Sequence, residues 1–579
     1  MPHKNRWLLQ TPITPEADAA LCTYPPIIRQ ILFNRAIATA VEADAFLDAR
    51  TNFDTNPFQM KGMRLAVDRI RTALREGQPI AIYGDYDVDG VTATALLVQV
   101  LGALGGNVRA YIPNRFDEGY GLNNEALTLL AREGVRLVIS VDCGVRSPDE
   151  ARHARSLGLD IIISDHHEPS GSLPDALAVL NPKQDGDVYP EKYLAGVGIA
   201  YKIAEALLLD HAQQPGDHDP FSINHYPDLD DYLDLVALGT VADLAPLTGE
   251  NRVLVRRGLE KMRETTRQGL FSLANVAGTD LKKVSAQTIG FTLGPRLNAS
   301  GRLESALASF QLLTTTDVNE AGDLALKLNQ QNLERQKLTR EIQTQAEALA
   351  IEGEKDSLLL FAVHPDFNPG VVGLAASRLT ETYYRPAIVC HYDMEKKETR
   401  CSCRSIPEFH ITRALDECAD LLVRHGGHAA AAGFTVRNDN LYELMERLKS
   451  IAARELLTCD LRMSFSADTE IPLSQLTFEL LQGLERLQPT GYGNPEPVFI
   501  SRGVKVQSKR TVGMDGKHLK LTLTDGRFTV DAIGFRFGDL IEDLPPLVDV
   551  LFTFEANVYN GRTSLQLNLK DIKPAGVPD

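Results

Sequence analysis

The sequence predicts an α/β protein: a doubly wound parallel sheet, a long bridging helix, a second α/β module and a small C-terminal antiparallel barrel. Three observations carry this. Between about residues 61 and 167, helical patterns alternate with continuous apolar strands, as in a sheet buried on both faces. Residues 316–350 contain Gly322 as their sole glycine and no proline to interrupt a helix. From 461 onward, strands of period-two alternation are separated by turn residues.

In chain order, residues 1–50 read as a helical lead-in with turn signals such as "TPITPEADAAL". The first module, 51–315, opens with "KGMRLAVDRIRTALREG", which has helical spacing. The strand "PIAIYGDYD" and the helix "GVTATALLVQVLGALG" follow. After them come "NVRAYIPN" (strand), "NNEALTLLAREG" (helix), "VRLVISVDCG" (strand), "SPDEARHARSLG" (helix) and "LDIIISDHH" (strand). In such sheets ligands collect at the carboxyl ends of the strands. The polar stretch rich in Gln, Leu, Glu and Lys, 316–352, is one helix bridging two domains. The second α/β module, 353–460, begins with "SLLLFAVH". The segment 461–579 supplies five alternating strands, which fit a barrel of the OB type.

At 579 residues the chain exceeds what one core serves. A net charge of −17 argues against a general polyanion binder, although carboxylates gathered around a metal count fully while the metal does not. No apolar run reaches membrane-span length, and the N-terminus lacks a secretory core, so a cytoplasmic enzyme is expected. The 7 cysteines are dispersed and odd in number, and "CSC" at 401–403 lacks a second pair for zinc. Reduced thiols are expected.

Four segments point to chemistry: "GDYDVDG" (Asp85, Asp87, Asp89), "SVDCG" (Asp142), "SDHHEP" (Asp165, His166, His167) and "GTVADLAPL" (Asp243). The first three end predicted strands. The fourth follows a helix-like stretch. Taken singly, an aspartate after a strand is commonly a turn residue or a helix N-cap. Together, close carboxylates repel unless protonated, solvated or bridged by cations. Carboxylates converging with an imidazole make an O/N donor set suited to Mn²⁺ or Mg²⁺. Two such ions about 3.5–4 Å apart would clamp a phosphoryl displacement.

These segments resemble the DHH phosphoesterase superfamily and, within it, closely resemble the RecJ family of single-strand-specific DNA exonucleases. "YIPNRFDEGYGL", "GPRLNASGRL", "LNQQNLERQ", "GVVGLAASRL", "CSCRS", "GGHAAAAGF" and "QPTGYGNPEPVF" extend the likeness from about residue 50 to the end. The resemblance implies that Asp87, Asp89, Asp142, His166 and Asp243 hold two divalent cations, with Asp142 bridging. It implies that Asp85 orients these ligands and that His167 serves the substrate phosphate or the ligand set. Many relatives carry a metal-binding histidine where this chain has Tyr83, which leaves full occupancy of the first metal site open. The implied activity is 5′-to-3′ degradation of single-stranded DNA by two-metal hydrolysis, in recombination and repair. A narrow channel between the α/β modules would exclude duplex. A single-strand-binding protein and a RecQ-type helicase are expected partners, and the chain is expected to be monomeric. Two alternatives stand beside this: a phosphodiesterase for oligoribonucleotides or cyclic dinucleotides, and a non-catalytic DNA-binding scaffold.

In the second module, "GGHAAAAGF" offers Gly426, Gly427 and His428. Glycines let backbone N–H groups approach a phosphate, and His428 can donate to an oxyanion. Structurally the segment reads as a tight turn before an Ala-rich helix. Arg404 and Ser405 are candidates for the terminal 5′-phosphate. Arg115, Arg296 and Arg302 are further substrate-binding candidates by resemblance. On the barrel, Lys505, Lys509, Arg510, Lys517 and Lys520 form a basic run suited to single-stranded DNA. Phe528, Phe535 and Phe537 are either stacking platforms or barrel filling.

Overall fold

The computed structural model describes residues 5–577 apart from 52, 115–117, 120, 170, 214–225, 354–356 and 560. It contains two compact units, Trp7–Asn329 with Phe465–Asp579 in one and Gln330–Ser464 in the other.

In the first unit, α1 (Met63–Arg75) buries Met63, Ala66, Val67, Ile70, Ala73 and Leu74, a stripe of helical period. Then come β1 (Ile80–Gly84), α2 (Val88–Ala103), β2 (Val108–Tyr111), α3 (Asn124–Arg132), β3 (Leu137–Val141), α4 (Pro148–Ser156), β4 (Asp160–Ser164) and β5 (Ala178–Leu180). The sheet runs β2-β1-β3-β4-β5, all parallel. β1 and β3 are buried along their whole length. One face packs Ile80, Ile82 and Ile139 with α1 and α2; the other packs Ala81, Tyr83 and Val138 with α3 and α4. After β2 the chain returns past β1 to form β3, so a switch point opens between β1 and β3 at their carboxyl ends. The helices α5 (Gly196–Gln213), α6 (Leu233–Ala242), α7 (Gly249–Arg263) and α8 (Gly294–Leu303) complete this layer.

A single helix, α9 (Val318–Gly353), runs for 36 residues. The second unit holds β6 (Leu360–His364), β7 (Ala387–Asp393), β8 (Glu398–Arg404), β9 (Leu422–Gly427) and β10 (Ala431–Arg437), in the order β9-β10-β8-β7-β6. Here β6 and β7 are parallel and the other pairs antiparallel. The Ala-rich stretch is therefore the turn and second strand of a hairpin, not the start of a helix. The cysteine expectation is also corrected. Cys390 and Cys401 form a disulfide, because the β7–β8 register sets them directly opposite with Cα atoms 4.1 Å apart. Their sequence separation of 11 hides that pairing.

The C-terminal barrel consists of β11 (Phe499–Val512), β12 (His518–Thr524), β13 (Thr529–Gly534), β14 (Leu547–Tyr559) and β15 (Arg562–Pro574). It closes through β11–β14 pairing, Phe499 opposite Phe552. Its core is shared with the N-terminal helices Pro26–Asn34 and Ala40–Leu47: Ile31, Leu32 and Leu47 pack in one cluster with Leu473, Leu521 and Phe552. The lead-in is not wholly helical, since Asn5–Leu9 is a strand paired with Met463–Ala467.

Candidate metal centre

Each acidic segment leaves its element at the same sheet edge. After β1, the Asp87 carboxylate caps α2, accepting from the Asp89 and Gly90 N–H groups at 3.0 and 3.1 Å. An aspartate here meets the positive end of the helix dipole. Asp89 faces inward, 1% exposed, and accepts from the Gly196 and Val197 N–H groups at 2.6 and 2.8 Å. The N-terminus of α5 thus fixes its carboxylate. Asp142 follows β3 in a left-handed conformation, φ 63°, and its N–H donates to the Ser164 carbonyl. Asp243 caps the C-terminus of α6.

The ligand atoms fall into three overlapping groups, each within 4.8 Å: Asp85, Asp87 and Asp142; Asp89, His166 and Asp243; Asp142, His166 and His167. His166 Nε2 lies 3.0 Å from Asp142 Oδ1, 3.7 Å from Asp243 Oδ2 and 3.8 Å from Asp89 Oδ2. It is buried and makes no well-formed hydrogen bond among the described residues. A buried lone pair aimed at several carboxylates fits a divalent cation between them.

The electrostatics agree. Burial and the neighbouring Asp87 push the Asp89 carboxyl up to about 7. Burial with Asp89 and Asp87 pushes Asp243 up to about 9. Burial and the same neighbours raise Asp142 well above the carboxylate range. The two adjacent histidines part ways. Burial and the neighbouring His167 drive His166 down to about 3, leaving a neutral imidazole. Burial also disfavours the charged form of His167, but the hydrogen bond and charge of Asp165 outweigh it and raise its pKa. Asp165 Oδ1 accepts from His167 Nδ1 at 2.8 Å and its Oδ2 from the Val145 N–H at 2.9 Å.

Sequence reasoning missed several contributors. Asp165, singled out in "SDHHEP" without a role, orients His167, and the Asn181 amide, which the sequence did not flag, donates to the His167 carbonyl at 2.8 Å. Lys183 is the basic group whose charge acts on both His166 and Asp243. Asn298, inside the "GPRLNASGRL" helix, accepts from the Val88 N–H and so braces the Asp87 turn. Gly196 and Gly239 admit the carboxylates closely: a Cβ on Gly196 would stand 2.7 Å from Asp142 Cβ, and one on Gly239 2.7 Å from Asp89 Oδ1. The glycines in "GVGIAY" and "ALGTVAD" were the available signal, and only tertiary packing gives it meaning. Tyr83 is buried; its hydroxyl donates to the Gly121 carbonyl and accepts from Asn123 Nδ2, both at 3.0 Å.

Arg296 is occupied locally, donating to Asn329 Oδ1 and the Thr292 carbonyl. Arg302 lies in the last turn of α8, and Arg115 is outside the described residues. In the second unit, Arg404 ends β8 and donates to the Cys403 carbonyl, and burial lowers its pKa. The Ser405 hydroxyl donates to the Phe409 carbonyl at 2.6 Å. Gly426 and Gly427 end β9, and the His428 N–H closes the hairpin on the Ala431 carbonyl. Gly427 needs its φ of 145° and its bare Cα, because a Cβ would sit 2.4 Å from the Ala431 carbonyl oxygen.

On the barrel, Arg510 and Lys520 are cross-strand partners. Lys509 donates to the Ile541 carbonyl, Lys520 to Gln566, and Lys517 lies 3.5 Å from Asp515. Lys505 and Arg510 are exposed. Phe528 and Phe537 pack against the barrel core, whereas Phe535 is 52% exposed beside His518.

Family models match three segments: the DHH family N-terminal domain at 79–240, the DHHA1 domain at 355–454 and the RecJ OB domain at 467–571. The single-stranded-DNA-specific exonuclease RecJ of Bacillus subtilis is 38% identical, over 98% of this chain and 71% of its own length. A crystal structure of Thermus thermophilus RecJ in complex with Mn²⁺ superposes with a TM-score of 0.84 at 30% identity, over 100% of this chain and 81% of that one. The Mg²⁺ complex of the same protein gives 0.78 at 29% identity, over 100% and 80%. The clustered carboxylates and buried imidazole are a donor set suited to divalent cations, and with its acidic edge, DHHA1 module and OB barrel the chain belongs to the RecJ family.

Proposed function

We propose that the protein is a metal-dependent exonuclease that removes nucleotides from the 5′ end of single-stranded DNA. The observation that carries this is the set of three overlapping ligand groups at the carboxyl edge of the parallel sheet. Asp87 and Asp142 would hold one cation and Asp89, His166 and Asp243 the other, with Asp85 orienting the ligands; Asp142, whose Oδ1 lies 3.0 Å from His166 Nε2, would bridge. Divalent cations here supply a lowered water pKa and charge stabilisation on both the attacking and the leaving oxygen. The remaining work belongs to the chain. The Gly196 and Val197 N–H groups keep Asp89 in place without reorganisation. Asp165 accepts from His167 Nδ1 and its charge favours the imidazolium, whose other N–H, at Nε2, can donate to a phosphate oxygen. The hairpin glycines with His428, together with Arg404 and Ser405, receive the terminal phosphate. Arg115, Arg296 and Arg302 contact the strand. The basic run from Lys505 to Lys520, with Phe535, guides the incoming bases.

No helix among the described residues is long and apolar enough to cross a membrane. We place the enzyme in the cytoplasm as a monomer, working with a single-strand-binding protein and a RecQ-type helicase. The test is degradation of single-stranded DNA labelled at either end, with Mn²⁺, Mg²⁺ or EDTA, by wild type and Asp89→Ala. Metal-dependent release of 5′-terminal nucleotides, lost in the variant, supports the reading. DNA binding without hydrolysis under every metal overturns it.

A further inference from the structure

The turn that carries Asp243 is held from outside its own module. After Asp243 the chain passes through Leu244, φ 61°, and the Leu247 N–H then donates to the Tyr492 carbonyl at 2.7 Å. Tyr492 belongs to "QPTGYGNP", a segment without a role in the chemistry above. Its loop is closed on itself by paired hydrogen bonds between Gly491 and Asn494. It also packs tightly on the Asp243 turn. A Cβ on Gly491 would lie 2.8 Å from Leu247 Cδ1, and one on Gly493, φ 75°, would lie 3.0 Å from Pro246 Cβ.

Two guanidinium groups fix the loop in turn. Arg252 on α7 is 1% exposed, and its guanidinium donates to the carbonyls of Phe46, Arg486, Leu487, Gln488 and Pro489 at 2.9–3.1 Å. Arg35, from the N-terminal helices, donates to Asn494 Oδ1 at 2.8 Å, and the Asn494 amide donates to the Leu487 and Pro489 carbonyls at 2.8 Å each. Asn494 is fully buried. A buried cation answered by carbonyls, and a buried amide with its groups satisfied, resist displacement. The rigid loop therefore meets the segment that leaves Asp243, while Arg252 sits nine residues beyond Asp243 on the helix that follows.

We propose that the 487–494 loop is a positioning clamp for Asp243, and that Gly493, Asn494 and Arg252 set the affinity of the Asp89–His166–Asp243 cation site without touching metal or DNA. This rests on the metal centre proposed above. It makes the centre depend on a segment that leads into the barrel, so removing residues 461–579 would disturb catalysis as well as DNA guidance.

The experiment is Mn²⁺ titration by calorimetry on the full chain, beside single-stranded DNA binding in EDTA. Gly493→Ala is compared with Gly503→Ala, a second left-handed glycine, φ 60°, whose Cβ would meet nothing within 4 Å. Gly493→Ala is expected to weaken one Mn²⁺ site roughly tenfold, the scale of a lost outer-shell partner. DNA binding in EDTA should hold, and activity should recover at raised Mn²⁺. Asp89→Ala must lose the same Mn²⁺ site; if it does not, the metal assignment itself fails. The clamp alone is overturned if Asp89→Ala loses the site while Gly493→Ala keeps wild-type affinity. It is equally overturned if Gly503→Ala weakens Mn²⁺ as much as Gly493→Ala, since the effect would then be general destabilisation.

Discussion

At the carboxyl edge of the parallel sheet, Asp89 and Asp142 are each 1% exposed, and helix ends and backbone amides fix the carboxylates around them. At the hairpin of the second unit, Gly426, Gly427 and His428 lie exposed, their backbone shaped by β9 and β10. The first region is a buried concentration of negative charge, which burial and mutual repulsion drive toward protonation unless a cation compensates. The second is exposed and uncharged in its backbone donors, which fits the phosphate role proposed for it. A site that retains its ligand is rigid and electrostatically incomplete; a site that exchanges its ligand is open.

The contrast sharpens under substitution. Asp165→Asn should act on the edge alone. It removes the charge that holds His167, and an outer partner of this kind is worth roughly 10- to 100-fold in metal affinity or activity. Mn²⁺ calorimetry with single-turnover cleavage checks it; an unchanged rate would show that His167 needs no orienting group. The pH response should likewise belong to the edge. Asp89 and Asp243 are raised to about 7 and about 9, so Mn²⁺ must displace protons below those values. Mn²⁺ affinity should fall as pH drops through about 9 and about 7, by up to roughly tenfold per pH unit for each displaced proton. The EDTA-treated protein should show the opposite trend in stability. Its folded form holds protons that the unfolded chain has released, so this contribution is present below the ordinary carboxylate range and lost as pH rises through about 7 and about 9. The smallest effect is expected at the hairpin. Gly427→Ala forces a Cβ against the Ala431 carbonyl, a strain of about 1–3 kcal/mol. KM for single-stranded DNA should rise while Mn²⁺ affinity stays at the wild-type value. A change in Mn²⁺ affinity instead would erase the distinction between the two regions.

Much of this was legible in the sequence, for identifiable reasons. Strands such as "AIYG" and "LVISV" are apolar throughout because helices cover both faces, and the aspartates follow directly because strand ends are where the chain turns toward solvent. The 36-residue helix and the barrel strands were equally plain, since each is a local periodicity. The Cys390–Cys401 disulfide was not, because it depends on the register between two strands. Nor was the fate of the phenylalanines, since period-two alternation does not say which face of Phe535 or Phe537 meets solvent.

Local periodicity and residue chemistry were enough to read the doubly wound sheet, the order of the modules and which carboxylates and histidines to consider together. Packing in three dimensions was needed to show that Gly196 and Gly239 admit the carboxylates, that Asp165 holds His167 and not His166, and that the loop at Tyr492 meets the turn after Asp243. Those facts are contacts between residues far apart in the chain. They depend on packing distance and burial, and no pattern along one dimension carries either.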